Sequence, residues 1–163
     1  MKEMLQQYAA YNLWAHQKLT HAILLMDENL HREKVSSSFT SLYATVLHLW
    51  NAESNWWQRM KLLEHIEDPG ATFNGSMKEA IDGLLNQSAL WSAFVQGASE
   101  LKLHHVIEYK WSHKEAIKQP LYQVIFHVFN HSTYHRGQLV TMMRNLGVTK
   151  IPKTDFMEWC LKK

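Results

Sequence analysis

The chain predicts an all-α protein, a four-helix bundle, and three observations carry that prediction. Only three prolines and six glycines interrupt 163 residues. Four long segments between them repeat apolar residues at spacings of three and four, the period of an amphipathic helix. A helical stripe that wide is buried only against others like it, so four such helices pack on one another. A short extended or hairpin excursion before the fourth helix, and a short helix at the carboxy terminus, complete the expected plan. The whole of 1–163 reads as one domain, a length that buries on the order of two-thirds of its unfolded surface.

In residues 2–28, Leu5, Tyr8, Ala9, Leu13, His16, Leu19, Ala22, Ile23 and Met26 form one stripe. Ser36-Ser-Ser-Phe-Thr-Ser41 supplies N-caps for a second helix that runs to about Glu64. Its inward positions include Leu42, Thr45, Leu49, Ala52, Trp56, Met60 and Leu63, and Asp68-Pro-Gly70 marks a loop. Ser76-Met-Lys-Glu79 is a capping box for a third helix to about Gln96, which Gly83 weakens by roughly 1 kcal/mol without breaking it. From Leu101 to Gln119 the pattern changes. Val106-Ile-Glu-Tyr-Lys-Trp111 alternates and is rich in β-branched and aromatic residues, then Ser112-His113 leads to a second short extended run, so a small hairpin is expected. Pro120 suits the first turn of a fourth helix that stops at Gly147, and a short helix covers Thr154 to Leu161. The connections around 64–75 and 97–119 are long enough for a crossover, which leaves the order of helices in the bundle open.

Composition excludes several classes of function. No apolar run is long enough to cross a bilayer, and Met1-Lys-Glu-Met-Leu-Gln-Gln-Tyr8 lacks the apolar stretch of a signal peptide. Cys160 is the single cysteine, so no intramolecular disulfide forms and a reducing cytosol is expected. Net charge is +2 with scattered basic residues, the nearest thing to a cluster being Lys162-Lys163, which argues against nucleic acid as a partner.

Eleven histidines are many for this length, and their spacing points to a metal. Residues four apart on a helix lie roughly 6 Å apart along one face, so two imidazoles placed that way can converge on one ion. His127, His131 and His135 form an i, i+4, i+8 series whose outer members are roughly 12 Å apart, too far to share an ion with bonds near 2 Å. Either His127/His131 or His131/His135 is the pair. His48, in mid-helix among core positions, is the best third donor, and His16 is its rival. Three imidazoles on a divalent ion leave a coordination position open, as in catalytic rather than structural sites. The remaining histidines, including His21, His31, His65, His104, His105 and His113, fall at helix ends or in connections and read as solvated.

The phrases His131-Ser-Thr-Tyr-His-Arg-Gly-Gln138, His48-Leu-Trp-Asn-Ala-Glu-Ser-Asn-Trp56 and Tyr11-Asn-Leu-Trp-Ala15 resemble the DinB/YfiT-like family of metalloenzymes, distinct from the translesion polymerases. The likeness covers essentially the whole chain, and the His-x-x-x-His-Arg-Gly-Gln signature is its specific part. The resemblance implies a four-helix bundle, often a homodimer, with a divalent ion held by His48, His131 and His135 and His127 outside the ligand set. It also implies a small-molecule substrate and, as in relatives that are thiol-dependent isomerases or S-transferases, a low-molecular-weight thiol cosubstrate.

The residues around these histidines narrow the chemistry. Neutral imidazoles leave the ion its full charge, which acidifies a water or thiol that binds it, with zinc, nickel or iron as the expected metals. Cys160 lies outside the motif, so an activated thiol would come from a cosubstrate. The His-Ser-Thr-Tyr-His segment lacks the glutamate of zinc peptidases. Glu53 and Arg136 are weak catalytic candidates. Glu53 stands about 140° around a regular helix from His48, which favours an ion pair on the helix surface or a structural one, with Arg136 or Arg59. Arg136 anchors a helix or a carboxylate, and Gly137 is expected to permit a close helix contact. His127, Trp14, Trp56 and Tyr134 are candidate pocket residues, although aromatic residues in a bundle are more often core. A di-iron carboxylate site needs two Glu-x-x-His motifs, and only Glu28-Asn-Leu-His31 has the spacing. A helical bundle that binds a metal or ligand without catalysis is the alternative.

Overall fold

A computed structural model describes residues 1–110 and 116–161. Expectations for Trp111, Ser112, His113 and Lys162-Lys163 lie outside the described residues. The elements are α1 (Lys2–Leu24), a 3₁₀ turn (Glu28–His31), α2 (Leu42–Met60), α3 (Met77–Gly97), α4 (Glu100–His104), β1 (Val106–Lys110), β2 (Ala116–Pro120), α5 (Leu121–Asn145) and α6 (Phe156–Cys160).

Local chemistry explains the boundaries. Helix α1 ends four residues before the expected stop, because the Asp27 side chain accepts from the Asn29 N–H and turns the chain into the 3₁₀ segment. Ser41 caps α2 by accepting from the Ala44 N–H, and Ser76 with Glu79 makes a reciprocal capping box on α3. Helix α2 ends at Met60 rather than near Glu64, where Leu62 takes φ +56°. Its N–H reaches the Arg59 carbonyl while the Leu63 N–H reaches that of Gln58, a C-terminal motif normally built on glycine. Residues 100–104 are helical, capped by Ser99, where an extended segment is expected from 101. The hairpin follows, antiparallel, with Val106 opposite Pro120. Pro120 itself is the N-cap of α5, and Gly147 takes φ +88° beyond that helix's end.

The four long helices form a ring in which α1 contacts α3 and α5, and α2 contacts the same two. Directions follow from paired residues. Trp50 meets Gly83, Glu53 meets Ser88 and Trp57 meets Trp91, so α2 and α3 are parallel. Thr45 meets Met142 and Trp56 meets His127, so α2 and α5 are antiparallel. Gln6 pairs with Gln96, which sets α1 against α3, and Tyr8 on Phe129 with Asn12 on Arg136 aligns α1 with α5. The order is up-down-down-up. The 61–76 connection must therefore return along the length of the bundle.

The core is layered. One apolar cluster gathers Leu5, Ala9, Trp56, Trp91, Phe129 and their neighbours at one end, and a second gathers Leu19, Ile23, Leu49, Leu84, Leu139 and Met142 at the other. Between them lies a polar layer of Asn12, His16, Glu53, Ser88, Ser132 and Arg136, every one buried. Glu53 Oε1 accepts from Asn12 Nδ2 (3.1 Å), His16 Nε2 (3.1 Å) and Ser132 Oγ (3.0 Å), while Oε2 accepts from Ser88 Oγ (2.6 Å). Arg136 donates to Asn12 Oδ1 (2.6 Å) and Thr133 Oγ1 (2.8 Å), and its guanidinium lies 5.4 Å from the Tyr11 ring centre. Burial pushes the Glu53 carboxyl upward, but the bonds from His16, Ser88 and Asn12 outweigh it and hold the group below its ordinary value. One carboxylate thus joins α2 to the other three helices.

Glu53→Ala strands the Arg136 charge and four donors in the bundle centre. We expect a loss of about 3–5 kcal/mol, against about 1–3 kcal/mol for Glu53→Gln, read from urea midpoints. A Glu53→Ala protein as stable as the parent contradicts this account.

Candidate metal centre

The polar layer sets the rotation of α5 by turning Ser132 and Arg136 inward. Their chain neighbours His131 and His135 then lie at the seam with α2, where His48 faces them. The three Nε2 atoms form a triangle with sides of 3.1 Å each. Among the described residues this is the one group of three His, Cys, Asp or Glu whose donor atoms lie within 4.8 Å of one another. The centre of such a triangle is roughly 1.8 Å from each corner, just under a metal–imidazole bond of about 2.0–2.1 Å. The three nitrogens are thus spaced as in residues that would hold one metal ion.

The tautomer at His135 suits that role. Its Nδ1–H donates to Gln138 Oε1 at 2.7 Å, which leaves the Nε2 lone pair facing the triangle. Gln138 Nε2 in turn donates to Ser38 Oγ at 2.8 Å, tying the ligand helix to the segment before α2. Phe39 from that segment stacks on the His48 ring at 4.2 Å and 28° and approaches His135 at 5.6 Å. Burial, reinforced by the His135 charge, pushes His48 down to about 4. Burial, with His135 and His48, does the same to His131, also to about 4. His135 is lowered by burial despite the Gln138 bond. All three present free nitrogens at neutral pH, as an ion requires.

The other candidates separate clearly. His127 is exposed, its ring 6.1 Å from that of His131 and outside the triangle. His16, the rival donor, belongs to the Glu53 layer. Glu53 is not on the helix surface but 1 % exposed, and its ionic partner is His16 rather than Arg136 or Arg59. Arg136 is buried and donates to Asn12, which in turn donates to Glu53, so it ties α5 to α1. Trp14 packs with Tyr11 and Cys160 beside α6, away from the triangle. Trp56 is buried against His127 and Tyr109, and Tyr134, 62 % exposed, sets its ring 5.0 Å from that of His135. Gly137 has open space where a Cβ would stand, so no close helix contact explains it, whereas a Cβ at Gly83 would lie 2.6 Å from the Trp50 ring. His31, read as solvated, is buried and donates from Nε2 to the Ile23 carbonyl at 2.9 Å. Phe39 escaped the sequence reading because it sits in a loop with no period. Gln138 carried a signal, an amide three residues beyond a candidate ligand on the same helix.

A four-helix bundle with three convergent histidines at an α2–α5 seam defines the class. The DinB family model matches residues 1–160, and the chain belongs to the DinB family. It is 24% identical to Protein DinB of Bacillus subtilis (strain 168) over 155 residues, covering 90% of this chain and 87% of that one. Its fold is shared with a DinB-like protein from Bacillus cereus ATCC 10987 (TM-score 0.73, 18% identity, 93% of this chain and 95% of that chain). It is shared too with YfiT from Bacillus subtilis, described as a probable metal-dependent hydrolase with an unusual four-helix bundle topology (TM-score 0.71, 16% identity, 91% of each chain).

Two measurements test the centre. Gln138→Leu removes the acceptor that orients His135 and should weaken zinc binding about 10–100-fold in competition with a chromophoric chelator, while Gln138→Glu, which keeps an acceptor, stays close to the parent. His48 and His131 titrate near 4 in the folded chain against an ordinary 6.5, so between those values the unfolded chain binds more protons. The metal-free protein should therefore hold its stability above about pH 6.5 and lose it as pH falls toward 4. Urea midpoints at pH 7 and 5 check this, with a smaller drop expected for His48→Gln/His131→Gln.

Proposed function

We propose that this chain is a mononuclear, divalent-metal-dependent enzyme acting on a small molecule, with His48, His131 and His135 as ligands to zinc, nickel or iron. A low-molecular-weight thiol is its cosubstrate, in a transferase or isomerase reaction. The observation that carries this reading is the 3.1 Å triangle of neutral imidazole nitrogens with no carboxylate among them. An ion bound there keeps its full charge and supplies Lewis acidity to a water or thiol in its open position.

The chain's own residues divide the remaining tasks. Gln138 holds the His135 tautomer and Phe39 covers one face of His48, limiting water on that side. Both Glu53 oxygens are committed to donors in the core, so this carboxylate is not a base for the reaction. A thiol needs less help than water to lose its proton, having a pKa of about 8.5 before any metal acts on it. With no carboxylate among its three donors, the site suits a thiol. Cys160, the last residue of α6, packs against the cluster of Tyr11, Ala15 and Trp159, so the chain does not supply that thiol itself. A cosubstrate of this kind fits a reducing compartment, and among the described residues no helix is long and apolar enough to cross a membrane.

A second reading, hydrolysis, is favoured by one feature. The His127 ring lies 6.1 Å from His131, and burial lowers its pKa, so at neutral pH it can take a proton from water near the site. YfiT's description points the same way.

Elemental mass spectrometry on tag-free protein tests the metal. We expect about one equivalent in the parent and none in His48→Ala/His131→Ala at unchanged helical circular dichroism. Cobalt-substituted protein then separates the two chemistries. A sulfur-to-cobalt charge-transfer band on adding thiol supports the transferase reading, whereas no thiol band, with ester hydrolysis lost in His127→Ala, supports the hydrolase. Absence of binding of zinc, nickel, iron, copper and manganese after reconstitution refutes the enzyme reading.

A further inference from the structure

The loop before α2 is fixed at both ends and loose between them. Val35 packs, half-buried, against the apolar cluster of Leu49 and Leu139, and Ser41 caps α2. The Val35 N–H donates to the Thr40 carbonyl at 2.9 Å and closes the loop at its base. Beyond that base stand three consecutive exposed serines, Ser36, Ser37 and Ser38, and then the half-buried Phe39. Among the described residues, 36–39 enter no backbone–backbone hydrogen bond, and their one side-chain bond is the one from Gln138 to Ser38. A segment with so few bonds lies at the low end of local stability, and a single neutral hydrogen bond breaks and re-forms readily.

The contacts that do hold the tip fall on the three-histidine group. Gln138 Nε2 donates to Ser38 Oγ at 2.8 Å, and the Phe39 ring stacks on His48 at 4.2 Å and reaches His135 at 5.6 Å. The stack leaves the His48 donor usable. An imidazole binds an ion in the plane of its ring, and the phenyl lies nearly parallel to that plane, at 28°. Phe39 thus shields a ligand ring without competing for its nitrogen.

Gln138 joins cover and ligand. Its Oε1 accepts from His135 Nδ1 at 2.7 Å while its Nε2 holds Ser38. Releasing Ser38 frees the loop but leaves Oε1, and with it the His135 tautomer, in place.

We propose that residues 36–39 form a hinged cover over the three histidines, latched by Ser38 on Gln138 and seated by Phe39 on His48, whose opening controls access to these imidazoles. What the cover admits, an ion or a ligand to that ion, rests on the metal-enzyme reading; the cover itself does not.

The first test uses metal-free protein and diethyl pyrocarbonate, which acylates unprotonated imidazoles, with the rate at each histidine read by peptide mass spectrometry. His104, exposed on α4, is the internal reference. We expect Ser38→Ala to speed acylation of His48 roughly two- to tenfold, the factor set by one lost neutral hydrogen bond, and Phe39→Ala to speed it further, with His104 unchanged. Ser38 is exposed, so its variant should keep the parent's helical circular dichroism even where Phe39→Ala does not. Equal His48 rates in the parent and both variants overturn the cover.

The second test follows zinc entry and release against a chromophoric chelator in stopped flow. A cover that controls access scales both rates alike, so Ser38→Ala should speed entry and release by one factor and leave the affinity unchanged. Gln138→Leu, which removes the latch and the His135 acceptor together, should speed release more than entry. Faster release at unchanged entry in Ser38→Ala marks a loop that only steadies the ligands, and overturns control of access. A parent that binds no zinc counts against the metal reading, while the acylation rates still decide the cover, so either idea can fail alone.

Discussion

The Glu53 carboxylate is the constraint on which the rest of this bundle depends. It accepts from α1 through Asn12 and His16, from α3 through Ser88 and from α5 through Ser132, and its backbone carbonyl accepts from Trp91 at 3.0 Å. Apolar layers above and below could be satisfied by several small slides of one helix against another. A buried anion with four side-chain donors cannot, since each slide leaves charge or donors unsatisfied at a cost of about 1–3 kcal/mol per group. The layer therefore specifies register more than it adds stability. Its consequence appears one residue away in the chain. With Ser132 and Arg136 facing the core, His131 and His135 have nowhere to point but the α2 seam, where His48 meets them.

The buried anion also affects the triangle electrostatically. Burial, and after it the charge a proton on a neighbouring imidazole would bring, drives His48 and His131 down to about 4. Glu53 acts on His131 in the opposite sense, favouring positive charge at that ring. The site therefore disfavours protons on its own nitrogens while lying in a field that favours a cation. A divalent ion held by these three residues would satisfy both conditions at once.

Much of this was legible in the chain, for reasons that are local. The capping box at Ser76 and Glu79, the alternation in Val106–Lys110 and the four-residue step from His131 to His135 each state their structure within a few residues. Glu53, offset by about 140° from His48 around a regular helix, is not in the triangle. The same geometry says nothing of whether that direction leads to solvent or to the bundle centre, and here it leads to the centre. His31 misleads in the same way, since position at a helix end predicts exposure only when nothing packs over it. Bundle order is equally invisible, because the parallel α2–α3 pair is decided by contacts between residues more than thirty apart. Phe39 and Ser38 reach the histidines from a segment without period, through contacts that exist only once α2 and α5 are in register.

That topology has a functional corollary. A parallel α2–α3 pair requires a connection that runs back along the bundle, and a diagonal step from α3 to α5 requires another, here filled by α4 and the hairpin. An up-down-up-down bundle of the same helices would close with short turns and offer little between them. In this order the end of α2 faces the hairpin instead, which brings Arg59 opposite Tyr109 and Lys110 around a cavity. The rigid layer at Glu53 holds the histidines, while the long connections, freer to vary, shape what can approach them. The three histidines and the surfaces beside them are thus carried by different parts of the chain.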